Sequence, residues 1–193
     1  MQLSSEIEDD FKRIIVGCRS VYVEKLADYG PTWLLVRFPS LIDELWRKIK
    51  RIRTLEENGD NNLVPEGRNV EYIGLINYSI IALIRLTFGD SLPSEDEVFS
   101  DKGSISTGKL GELYDNIAQN ALELLMQKNH DYGNAWREME PSSLTDQVVV
   151  KVYRIKTILR NSGKTRVSEG MDAQLYDIIN YCVFSLVRLD GEG

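Results

Sequence analysis

Three kinds of residue in this chain have the type and spacing to do chemistry. The first is an Asp-Tyr-Gly-x-x-Trp motif that occurs twice, at 28–33 and 131–136. Its rings, Tyr29 and Trp33 in one occurrence and Tyr132 and Trp136 in the other, could stack on a nucleobase. The bland reading is a helix stop whose aromatics plug a small core. The second is a pair of cations one helical turn apart, Lys48 with Arg51 and Lys151 with Arg154. The latter pair flanks an apolar stripe of Leu144, Val148, Val152, Ile155 and Leu159. Cations beside a core could grip a phosphate or carboxylate, or could pair with Glu66 and Glu169. The third is a set of acids and amides. Asp177 precedes Asn180 by one turn, and Glu169 and Asp172 lie just before it. Glu169 with Asp177 is a candidate pair for Mg²⁺. At the corresponding places before Asn77 stand Asn69 and Gly74, so any such chemistry is expected in the second half. Asn77 and Asn180 sit inside the most apolar stretches, where an amide must find a partner. That partner is either a core hydrogen bond between the halves, or a base edge or metal. Asp43 and Asp146 are either metal ligands or helix-capping groups behind Ser40 and Ser143.

Other chemistry is missing or bland. No Ser-His-Asp, Cys-x-x-Cys or P-loop pattern occurs, and the lone His130 reads as a surface residue near a helix end. The chain therefore carries no catalytic signature that would mark it as an enzyme. The net charge is -7, with a pI near 4.9. This argues against an extended nucleic-acid surface, which needs many neutralised phosphates. Cys18 and Cys182 fall in apolar helical stretches and read as reduced core thiols. The first ten residues hold four acids and no basic run, so no signal peptide is expected. The longest apolar run, 75–84, contains Asn77 and is too short for a bilayer. These features predict a cytoplasmic protein without membrane contact.

The elements that position these residues are duplicated. Shifted by 103 positions, residues 25–86 align without a gap on 128–189 with 22 identities in 62 pairs, far above chance. Lys25 meets Lys128, Trp33 meets Trp136, Asn77-Tyr78 meets Asn180-Tyr181, and Arg85 meets Arg188. Each copy reads as three helices. The first spans about 6–26 and 110–128, with the glycine of Asp-Tyr-Gly just past its end. The second begins at Ser40 and Ser143. The third, at about 69–87 and 172–189, is apolar almost all round and so predicted to be deeply buried. Strand-like alternation persists nowhere. The expected fold is all-α: a first repeat over 1–88, a Gly-, Ser- and acid-rich linker over 89–111 with a short helical turn, and a second repeat over 112–193. Neither unit can bury its third helix alone. The copies should therefore pack as a pseudo-dimer around a local two-fold, third helices at the centre. The number of chains in the assembly is not written in this pattern.

The motifs Asp131-Tyr132-Gly133-x-x-Trp136, Ser143-Leu144-Thr145-Asp146, Lys151 with Arg154-Ile155, and Asp177-x-x-Asn180-Tyr181 resemble the nucleotide modification associated domain, type 1, in tandem duplicate. The resemblance covers about 80 residues of each half, and the second half fits it better. It implies nucleotide-related work. On that view Lys151 and Arg154 hold phosphate, Tyr132 and Trp136 line a base pocket, and Glu169 and Asp177 carry Mg²⁺ or orient a water. Tyr29, Trp33, Lys48, Arg51 and Asn77 are the first-copy counterparts, with Gly74 as the departure. Two other readings compete. One is a non-enzymatic helical interaction module. The other is a Mg-dependent enzyme similar to the all-α nucleoside triphosphate pyrophosphohydrolases, although Gln147 and Val150 stand where such an enzyme wants acids.

Overall fold

The structure, a computed structural model, describes residues 2–59, 67–100 and 105–191, with side chains from residue 6 onward. Among the described residues all regular structure is helical: α1 (Gln2–Tyr29), α2 (Phe38–Asn58), α3 (Arg68–Phe88), a short α4 (Glu95–Phe99), α5 (Thr107–Tyr132), α6 (Pro141–Arg160) and α7 (Met171–Asp190). Glu66 lies outside the described residues, so its expected pairing with Lys48 and Arg51 is not addressed. Helix α4, closed by a Ser94–Glu97 capping box, is the helical turn expected between the copies.

Both first helices stop at the glycine of Asp-Tyr-Gly. Gly30 and Gly133 adopt φ of 70° and 59°, and their amides bond the carbonyls of Leu26 and Asn129 at 2.9 and 3.0 Å. The left-handed glycine ends the helix without a Cβ penalty. A 3₁₀ turn follows, Thr32–Leu35 or Ala135–Glu138, and buries Trp33 or Trp136. Arg85 of α3 donates to the carbonyls of Trp33 and Val36, and Arg188 of α7 to that of Arg137, so each third helix holds this turn in place.

The second helices start earlier than the capping serines suggested. Pro39 and Pro141 occupy the first turn, where a fixed φ suits the helix and the missing N–H costs nothing, and the cap positions fall to Arg37 and Glu140 without a side-chain bond. Ser40 and Ser143 lie inside the helix, so Asp43 and Asp146 do not stand at a cap. They cross the local two-fold instead: Asp43 pairs with Lys156 at 2.5 Å, and Asp146 with Arg53 at 3.8 Å. Arg53 and Lys156 are themselves 103 residues apart, so these are one interaction made twice.

Each helix packs on its own copy: α1 on α5, α2 on α6, α3 on α7. The buried side chains form one continuous core through both repeats. The third helices lie at its centre, with Leu75, Ile76, Ile80, Ile178, Ile179 and Val183 fully buried. Length and hydropathy alone would let 68–91 cross a bilayer, but α3 packs against α1, α2, α5 and α7 and carries buried Glu71 and Asn77, the pattern of a core helix. Cys18 and Cys182 are buried free thiols, and burial pushes Cys18 up to about 12, so no reactive thiolate forms.

The local symmetry is broken by two polar contacts. Asn77 donates to the Cys18 carbonyl at 3.0 Å and accepts from the Tyr114 hydroxyl at 2.8 Å, so its amide is satisfied across the two-fold. The symmetry mate of Tyr114 is Phe11. Accordingly Asn180, although buried, has no partner for either Oδ1 or Nδ2 among the described residues. The expectation of two equivalent bonded amides therefore holds for one. The second contact is a chain through Thr145. Its hydroxyl donates to Glu56 at 2.6 Å, leaving the Tyr72 hydroxyl to donate to Thr145 at 2.8 Å. At the symmetric place stand Leu159, Ile42 and Leu175.

These asymmetries predict unequal mutants. Asn77→Leu strands the Tyr114 hydroxyl and should cost about 1–3 kcal/mol in urea unfolding, whereas Asn180→Leu removes an unpaired amide and should be neutral or stabilising. Equal losses at both positions would contradict the assignment. Burial holds the Glu56 carboxyl above its ordinary range, so the fold favours its protonated form and weakens as rising pH ionises it. Glu56→Gln, which keeps an acceptor for Thr145, should raise the midpoint at neutral pH, and the gain should fade in acid.

Candidate functional site

In the second copy, favoured by the sequence, the space between Trp136 and Asp177 is closed. Lys128 from α5 and Lys151 from α6 converge on the buried Asp177 carboxylate of α7, Lys151 at 2.6 Å from Oδ2 and Lys128 on Oδ1. The Trp136 ring stacks on Phe184 at 4.4 Å and 6°, and its indole N–H donates to Asn129 at 3.3 Å. No face of Trp136 is left for a base, and Tyr132 is 73% exposed. Arg154 is exposed on a separate open cleft of about 1010 Å³, which it lines with Lys164, Arg166, Glu169 and Gln174. Thus Lys151, Arg154, Glu169 and Asp177 do not meet around one ligand. The expected Mg²⁺ pair does not fit a cation either: Asp177 already takes two ammoniums, and Glu169 lies in the cleft that Asp177 does not line. Among the described residues no group of three His, Cys, Asp or Glu side chains could hold a metal.

The first copy differs at four matched positions that all line a cavity. Ile81 replaces Phe184, Gly74 replaces Asp177, Tyr22 replaces Leu125 and Leu26 replaces Asn129. This pocket of about 500 Å³ lies between the end of α1, the 3₁₀ turn, α2 and α3, a size usual for small-ligand sites. Tyr22, Tyr29, Trp33 and Tyr78 supply aromatic walls, Asn77 a polar floor, and Lys25 and Lys48 two cations. Asn77 is the expected site residue whose amide is already engaged in the core, while Tyr29, 54% exposed, lies open to solvent.

Two buried polar atoms here have only each other: the Tyr22 hydroxyl and the Trp33 indole N–H face one another in a poorly aligned contact and meet no other partner among the described residues. In the second copy the Trp136 N–H has Asn129, but Leu26 offers Trp33 nothing. Burial pushes the Tyr22 phenol well above its ordinary value, so it remains a neutral donor and acceptor.

The acid that balances the cations has moved by one turn. In the first copy Glu71, 3% exposed, binds Lys48 at 3.1 Å and Arg51 at 2.6 Å; its counterpart Gln174 is uncharged. Arg51 thereby turns away from the cavity. Lys48 lies down over Gly74, where a Cβ would come within 2.7 Å of its Nζ, and its ammonium stands 5.8 Å from the Tyr78 ring centroid. Lys25 is exposed, with no ion-pair partner among the described residues. The residues that sequence reasoning passed over are Tyr22, Lys25, Tyr78 and Ile81. The alignment of Lys25 with Lys128 was a signal; the Ile81–Phe184 difference was visible but had no meaning until the rings were placed.

This geometry defines a class: an all-helical tandem repeat folded as its own pseudo-dimer, with a cavity beside Trp33 in one copy and Phe184 packed on Trp136 in the other. The model of the family described as nucleotide modification associated domain 1 matches twice, over residues 25–86 and 128–189, and the chain belongs to that family. Neither a curated protein nor a solved structure matched the chain.

The second copy yields its own prediction. Asp177→Asn leaves Lys128 and Lys151 facing each other without a counter-charge, one of them largely buried. It should lower stability by about 2 kcal/mol or more, read as a shift in denaturant midpoint at constant slope. An unchanged midpoint would mean the triad contributes nothing to the fold.

Proposed function

We propose that this protein binds a nucleotide, and that the working site is the cavity of the first copy rather than the second. The single observation that carries the reading is an aromatic pocket, walled by Tyr22, Tyr29, Trp33 and Tyr78, with two lysines lining it. Aromatic rings accept the faces of any base, and lysine is a strongly hydrated point charge suited to phosphate. The family's association with nucleotide modification supports the same ligand class. A cytoplasmic location accords with the buried free thiols. A metal-dependent triphosphate hydrolase is less well supported, since Glu44 is the one acid lining the cavity among the described residues and it is paired with Arg47 at 2.6 Å. The interaction-module reading keeps one specific observation, the closed triad of the second copy, which serves only the fold.

The test is a thermal-shift series with nucleosides and nucleotides, since a ligand of the native state raises the melting temperature by mass action. Ile81→Phe gives the first copy the ring that fills the second. This variant should melt at or above the wild-type temperature and lose the ligand-induced shift. No wild-type shift at millimolar ligand, or an undiminished shift in Ile81→Phe, would remove the nucleotide reading from this cavity.

A further inference from the structure

The two copies are a controlled comparison within one molecule. In the second, one carboxylate sits between two lysines and is held by both. In the first, Lys25 and Lys48 stand at the matched positions, and Gly74 leaves out the carboxylate. We infer that the ligand of the first cavity is a nucleoside monophosphate whose phosphate takes the place that the Asp177 carboxylate holds in the second copy. This rests on the nucleotide reading above and sharpens it.

Three observations argue for a single phosphate. Asp177 shows that the site between the lysines admits one anionic group and satisfies it by charge-assisted hydrogen bonds from both sides. Lys25 and Lys48 are the cations lining the cavity among the described residues; Lys25 has no ion-pair partner there, and Lys48 shares the one charge of Glu71 with Arg51, so together they suit a single phosphate rather than a chain of them. Further phosphates would find no further cation there: Arg51 is held by Glu71 and Arg47 by Glu44, and Glu44 itself would repel them. Lys48 keeps donors to spare, since Glu71 takes one of its N–H groups. The ligand's own anion thus replaces an internal one, which is why the copy that retains its carboxylate has no need of a cavity.

The experiment is calorimetric titration of the intact protein, without metal, with the nucleoside, its monophosphate and its triphosphate for each DNA base. The monophosphate should bind roughly tenfold or more tighter than the nucleoside and at least as tightly as the triphosphate. Gly74→Asp restores the carboxylate; its Cβ meets only the flexible end of Lys48, which can swing up as Lys151 does. That variant should lose the monophosphate's advantage while keeping nucleoside affinity. Should Gly74→Asp fail to fold, Lys25→Gln, at an exposed position, should also reduce the advantage. A triphosphate that binds tighter than the monophosphate, or an advantage that survives both substitutions, overturns the inference and leaves nucleotide binding standing. Absence of binding by every nucleoside and nucleotide overturns both.

Discussion

Helices α3 and α7 are apolar around most of their circumference, and they escape water because each packs on the other at the centre of the molecule. One three-helix repeat has too little surface to cover such a helix; two repeats, each contributing its own, cover both. The remaining architecture follows from this contact. Once α3 lies on α7, α2 is brought to α6 and α1 to α5, and the pairs Asp43–Lys156 and Asp146–Arg53 form at matched places around the same local axis. The third helices also organise the site, because Arg85 and Arg188 project from them to hold the tryptophan-bearing turns.

Joining the two copies in one chain frees them to differ. In a symmetric dimer every substitution appears twice, whereas here each copy can compensate the other. The Asn77–Tyr114 bond and the Tyr72–Thr145–Glu56 chain each use residues from both repeats and have no symmetric equivalent. The charges diverge in the same manner. Each copy keeps one buried acid on its third helix to balance the lysine of its second helix, at 71 in the first copy and one turn later, at 177, in the second. That displacement determines which cations share an acid: Lys128 and Lys151 meet on Asp177, whereas Lys48 and Arg51 meet on Glu71. The copy whose acid pairs with both lysines has a filled interior; the copy whose acid pairs with Lys48 and Arg51 leaves Lys25 exposed and a cavity above Gly74.

The duplication, the helical class, the central third helices and the glycine helix stops could all be read from the linear chain. They depend on periodicity, on conformational limits of single residues and on identities at a constant offset, which are properties of the chain itself. The placement of the second helices was harder to read. Serine followed by aspartate three residues on looks like a cap, yet a proline one residue before Ser40 and two before Ser143 starts the helix first. The aspartates are then free for partners more than a hundred residues away, which no local pattern encodes.

Which copy holds the open site was decided only by tertiary structure. From the sequence, the second repeat places Glu169, Asp172 and Asp177 ahead of Asn180 and matches the family motifs better, and both properties pointed to it. In three dimensions Asp177 is used up by Lys128 and Lys151, and Trp136 is covered by Phe184. The copy that departs from the pattern, with Gly74 and Ile81, is the one with space beside its tryptophan. Residue types report which groups are present. Whether a charge is already neutralised or a ring already covered depends on side chains that meet from different helices, and that meeting is set by packing.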